Sequence, residues 1–195
     1  MDFVRVWLTG YYSPARSMEE LRSGPAPRWG FYGQLLRAAM DALLLYLPLA
    51  IMGLVPPTSS YVSALPTEQY YLHLVWLAPL VLAAEWVLGS GFVHLVLRLS
   101  GRPSDFDQLL NIGGMVALIV GTFILLWDWV WFSVGGVDQY FLGFTHLAIS
   151  MWAVVIGAIG MKKILGVPSW LGLLLGLLEI PITLPLAITF MRSPL

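Results

Sequence analysis

The sequence has no cysteine, which excludes disulfide scaffolds, thiolate metal sites and thiol nucleophiles together. It is also poor in charge. Asp, Glu, Lys and Arg make up 11% of the residues and hydrophobic types 58%, whereas a soluble domain carries roughly 25% charged residues on its surface. A surface with so little charge has to face lipid, so the bilayer is the first partner the composition implies. The net charge of −1 supplies no basic field, and no nucleic-acid partner is expected. Signatures of catalysis are missing as well. The chain has no His-Glu-x-x-His zinc motif, no Gly-x-x-x-x-Gly-Lys-Ser phosphate loop and no Gly-x-Ser-x-Gly nucleophile turn. Serines are sparse in the apolar runs, which argues against an intramembrane serine protease. No catalytic residue, cofactor site or metal site is assigned.

What is present is a series of long apolar runs. Crossing a bilayer takes about 20 mostly apolar residues, and five such runs with their loops use nearly all of the chain. The expected fold is all-α: a polytopic transmembrane bundle of about five helices, preceded by a short interfacial amphipathic helix. Residues 1–30 form a cytoplasmic interfacial arm and residues 31–195 the membrane domain. The spans fall at about 31–55, 71–99, 109–132, 140–160 and 170–190. The first apolar run is read as a retained span, since no small-residue cleavage site follows it.

In the arm, Phe3, Val4, Trp7, Leu8 and Tyr11 alternate with Asp2, Arg5 and Thr9, a mixture suited to the headgroup region. Ser13-Pro14 opens a short helix, with Ser13 placed to cap it and Pro14 at the first helical position. Gly24-Pro25-Ala26-Pro27 ends it. Pro56-Pro57 follows span one, Gly89-Ser90-Gly91 is a place where span two could loosen, and Gly135-Gly136 breaks the chain after span three. Lys162-Lys163 and Gly166-Val167-Pro168 make the turn before span five.

Lys and Arg set the orientation. Arg5, Arg16, Arg22 and Arg28 precede span one, Arg98 and Arg102 flank the second loop, and Lys162 and Lys163 occupy the fourth. The first and third loops have none. The expected location is a membrane, the bacterial inner membrane, with the N-terminus cytoplasmic and the C-terminus outside; Arg192 near the C-terminus is the one residue that conflicts. Trp29, Tyr61, Tyr70, Tyr71, Trp129, Trp131, Tyr140 and Trp170 cluster at span ends, where amphipathic rings prefer to lie.

Charged side chains inside the spans are the candidates for function, because each costs roughly 2.5–3.5 kcal/mol near the bilayer centre. Asp41, Glu85 and Glu179 fall near the middle of their spans, and Arg37 is one turn from Asp41 on the same helix face. Glu179 follows Gly172 and Gly176, a small-xxx-small face that admits close helix approach and aims Glu179 into the bundle. Pro48, Pro79 and Pro181 free the carbonyls of Leu44, Val75 and Leu177, which then need a side chain, a water or a cation as partner. Two readings stay open. In one, Asp41, Glu85 and Glu179 surround a proton, a cation or a polar ligand, with Arg37 as counter-charge. In the other, Arg37 pairs with one carboxylate and the remaining acids stay neutral and bond between helices. Asp128 and His146 fall toward the outer end, with Asp128 expected to reach water and Trp127, Trp129 and Trp131 to anchor the interface or form a cation cage. His73 and His146 share a side, the only pairing open to a haem.

The order of features resembles the bacterial Yip1-domain family. The resemblance lies in Tyr12-Ser13-Pro14 through Glu19-Glu20-Leu21, in the turn Gly101-Arg102-Pro103-Ser104-Asp105-Phe106-Asp107-Gln108-Leu109-Leu110, and in Trp152 to Pro168 with Gly157, Gly160 and Leu165-Gly166-Val167-Pro168. It implies five spans, a cytoplasmic N-terminus and a non-enzymatic protein that organises or associates with membrane or partner proteins. Apart from the resemblance, a second copy of the chain or another membrane protein is the partner to look for. It transfers no catalytic residue. A small transporter or channel using the midplane carboxylates is the alternative, and an intramembrane enzyme acting on lipid is a third.

Overall fold

The computed structural model describes residues 2–56, 61–62, 65–134 and 139–190. Pro57, the Gly135-Gly136 break, Arg192 and the side chain of Tyr140 lie outside the described residues. The elements are α1 (Phe3–Tyr12), α2 (Pro14–Arg22), α3 (Arg28–Ile51), α4 (Tyr70–Leu99), α5 (Phe106–Val134), α6 (Gln139–Leu165) and α7 (Ser169–Phe190). Helix α3 contains a π-helical turn at Ala42–Tyr46. No strand occurs among the described residues. The five helices α3 to α7 are long and apolar enough to cross a membrane.

Their ends refine the expected spans. Helix α3 stops at Ile51, short of Val55, because Gly53 takes φ +68° and the Leu54 N–H closes back on the Leu49 carbonyl at 3.1 Å. Gly101 ends α4 in the same way, with φ +71° and the Arg102 N–H on the Leu97 carbonyl at 2.9 Å. A left-handed residue at this position favours glycine, which has no Cβ to clash. Helix α6 runs on to Leu165, so Lys162 and Lys163 lie in its last turn and not in a loop. There they face the negative end of the helix dipole. Helix α4 is continuous through Gly89-Ser90-Gly91.

Helix α5 is the central one. Its most apolar stretch is 61% buried, against at most 44% for the other four spans. Helix α3 runs parallel to it at very close range. Gly30 lies on the backbone of Leu110 and Asn111, and Gly33 lies on the Gly114 carbonyl, so a Cβ at either would strike main chain. Helix α4 rests Trp86 and Ser90 against Gly113, and the Trp86 indole donates to the Leu110 carbonyl at 2.9 Å. Helices α6 and α7 form an antiparallel pair in which Gly172 faces Ala158 and Gly176 faces Val154.

The arm differs from the expected single short helix. Residues 3–12 are helical too, because Asp2 accepts the Val4 N–H at 3.0 Å and so caps α1. Pro14 does open α2, but the Ser13 side chain makes no capping bond. The two helices form a hairpin, closed where the Ser17 hydroxyl donates to the Val6 carbonyl at 2.8 Å. Val6, Met18 and Leu21 are fully buried, which stabilises the docked arm by roughly 1.5–3 kcal/mol per side chain. Gly10 rests on Ile119 of α5, and Met18 fits against Gly160 of α6 and Ile112 of α5. Three of the rings expected at span ends are core residues instead: Trp29, Tyr70 and Tyr71 are all buried. Trp29 packs over Gly24, and the Tyr70 hydroxyl donates to the Phe190 carbonyl at 2.8 Å.

Candidate functional site

Arg37 and Asp41 are one turn apart on α3 and form an ion pair buried on the face toward α5. The stem of Arg37 crosses Gly121, where any side chain would collide with it. Tyr46 of α3, Asp128 of α5 and Glu85 of α4 are its other electrostatic neighbours. A guanidinium has five donors in a fixed fork, which suits it to sit among several acceptors. Arg37 therefore stands where a cation would stand if these acids formed an open site.

Asp128 departs from its expected place. It is 3% exposed and is hydrogen-bonded to Nε2 of His146 on α6 at 2.7 Å. It does not reach water: α6 supplies its partner, and the rings on either side of it turn to two different helices. The Trp127 indole donates to Thr145 of α6 at 3.0 Å, and the Trp129 indole donates to the Leu44 carbonyl of α3 at 2.8 Å. Leu44 carries the carbonyl that Pro48 frees, so the partner required there is a neighbouring side chain. Trp127, Trp131 and Phe141 pack edge to face, with centroids 5.4 and 5.1 Å apart.

Glu85 and Glu179 lie in the seam between α4 and α7. The Glu179 carboxyl is seated on Gly89, in space that a Cβ would occupy. Glu85 is one turn earlier on α4. Its Oε1 is buried without a hydrogen-bond partner. Glu179 points inward as expected, but toward α4, whereas Gly172 and Gly176 pack on α6. The four candidates thus divide. Arg37 and Asp41 form the pair, Glu85 sits apart on α4, and Glu179 sits on Gly89, where no ion pair forms among the described residues.

Sequence reasoning missed Asn111, fully buried on α5, whose Oδ1 accepts the Gly30 N–H at 2.6 Å. Gly30 is in the first turn of α3, where amides lack intrahelical partners. It also left out Asp128, His146 and Gly121 as members of the cluster. A signal existed, since Gly114, Gly121 and Asp128 recur every seventh residue on one helix face. The histidines are engaged separately. His73 meets the Gln69 carbonyl at 2.8 Å and His94 meets the Ser104 hydroxyl at 2.9 Å. Among the described residues no three His, Asp or Glu side chains converge to hold a metal ion.

The fold and the buried pair together define a helical protein with five membrane-length helices and an Arg37–Asp41 ion pair buried between α3 and the central helix α5. No protein-family model matches the chain, and neither a curated protein nor a solved structure is significantly similar to it.

Proposed function

We propose that the protein is a non-enzymatic, Yip1-like membrane protein that organises membrane or partner proteins, seated in the bacterial inner membrane with its N-terminus in the cytoplasm. One observation carries this reading: the Arg37 side chain, laid across Gly121 of α5, is itself the counter-charge of Asp41 inside the bundle. An occupant built into the chain makes the cluster a lock between α3 and α5, not a place for a transported ion. Mild-detergent purification with mass determination tests it, and the expected result is a second copy or a partner protein held on the bundle. A stable monomer with no partner, together with no phenotype on deletion, would overturn it.

The second reading is a small transporter or channel for a proton or cation. The unpartnered Glu85 Oε1 and the carboxyl of Glu179 on Gly89 favour it, as do Pro181 and Pro185, which follow Glu179 in α7. Proteoliposomes loaded with a pH dye would show flux in the wild type that Glu85→Gln and Glu179→Gln abolish. No flux in the wild type sinks this second reading, and flux lost in both variants sinks the first.

A further inference from the structure

The arm carries a charge arrangement that the proposed function does not use. Arg5 of α1 and Arg16 of α2 both donate to one oxygen, Glu20 Oε1, each at 3.0 Å. The side chains of Arg5 and Arg16 are 59% and 61% exposed, whereas that of Glu20 is 15% exposed. Two guanidinium groups therefore meet over one shielded carboxylate. The trio carries a net charge of +1, and most of the five donors of each guanidinium remain open toward the outside. Two forks fixed side by side suit a tetrahedral phosphate, which accepts bidentate hydrogen bonds from arginine.

The surface beside this pair is apolar. Val4, Leu8 and Tyr12 are 48%, 50% and 76% exposed and recur every fourth residue, so they form one stripe along α1. The stripe starts at the turn that bears Arg5. It rises about 12 Å toward the hairpin tip, which packs beside Ile119 and Trp152 within the membrane-crossing helices. At the other end of the hairpin, Glu19 pairs with Lys163 at 3.4 Å, in the last turn of α6. The guanidinium groups of Arg5 and Arg16 thus meet at Glu20, toward the base, and the apolar stripe runs from there toward the bilayer interior. A phospholipid has the same polarity, with phosphate at one end and acyl chains at the other. A free phosphate would use the arginines and leave the stripe idle.

We propose that Arg5 and Arg16 on the arm hairpin bind the phosphate of an anionic phospholipid, whose acyl chains lie along Val4, Leu8 and Tyr12. The shared Glu20 carboxylate holds the two guanidinium groups together and keeps the site at a single positive charge, so an anionic lipid is favoured over a zwitterionic one.

The test uses the full chain purified in neutral detergent. Phosphatidylglycerol is titrated in as mixed micelles, with phosphatidylcholine micelles and inorganic phosphate as parallel arms, and binding is read from tryptophan fluorescence. Phosphatidylglycerol is expected to bind at least about tenfold more tightly than phosphatidylcholine, and inorganic phosphate to give no saturable signal. R5Q/R16Q should lose that preference, and R22Q, an exposed arginine on the same helix outside the trio, should keep it. If R5Q/R16Q melts early in neutral detergent, R5K/R16K replaces it; that variant keeps the charge, loses the forks and should still bind several-fold more weakly. An unchanged affinity in the variant that folds, an equal loss in R22Q, or saturable binding of inorganic phosphate alone each overturns the proposal.

Discussion

Replacing Arg37 by Met gives the sharpest test of the lock between α3 and α5. Arg37 is 8% exposed and Asp41 is 2% exposed, so the variant leaves a carboxylate in the interior with no counter-charge. Removing one member of a buried pair costs about 3–5 kcal/mol, whereas replacing both members by apolar groups of similar volume is often neutral. Asp128 is not orphaned by the change, because His146 holds it at 2.7 Å. The deficit therefore falls on Asp41. Arg37→Met is expected to lose about 3 kcal/mol or more, and Arg37→Met/Asp41→Leu should recover most of that loss. The assay is reversible unfolding in mixed micelles by titration with SDS, followed by circular dichroism and tryptophan fluorescence. A single variant that costs less than about 1 kcal/mol, the range of a solvent-exposed pair, would refute the lock. So would a double variant no more stable than the single one, because the pair would then not be the cause.

Glycine substitutions should diverge in the same unfolding assay. Gly114→Ala places a Cβ on the backbone of Gly30 and should cost about 1–3 kcal/mol or more, whereas Gly157→Ala has no neighbour within 4 Å and should be neutral or gain up to about 1 kcal/mol from helix propensity. Trp129→Phe removes the indole donor and leaves the Leu44 carbonyl unpartnered, at a cost of about 1–3 kcal/mol. The arm should respond to acid. The hydrogen bond from Arg16, foremost, and the charge of Arg5 hold the Glu20 carboxyl below its ordinary value of 4.5. A carboxylate lowered in the folded state stabilises above its unfolded pKa and loses that contribution as pH falls through the folded value. Protease sensitivity of the arm should therefore be flat above about pH 4.5 and rise below it, and Glu20→Gln should remove that dependence.

The membrane-crossing architecture is legible in the residues alone, because it follows from quantities local to the chain. Apolar run length places the five long helices to within a few residues, and Pro14 opens α2 where expected. Arg37 and Asp41 could be placed on one face by helix periodicity alone, and the freed Leu44 carbonyl could be named as a group in need of a partner. Only the tertiary structure decided which partner each group takes. Asp128 looked water-facing because it sits among three tryptophans near the end of a span, yet α6 supplies His146 and α3 draws away Trp129. Glu179 shares a helix face with Gly172 and Gly176, yet α7 touches two neighbours, and the glycines meet α6 while the acid meets α4. The arm looked like a surface helix because its composition is mixed, yet the glycines Gly10 and Gly160 make room for it against α5 and α6. In each case the deciding term is contact between helices far apart in sequence, and hydropathy and periodicity read along one helix do not contain it.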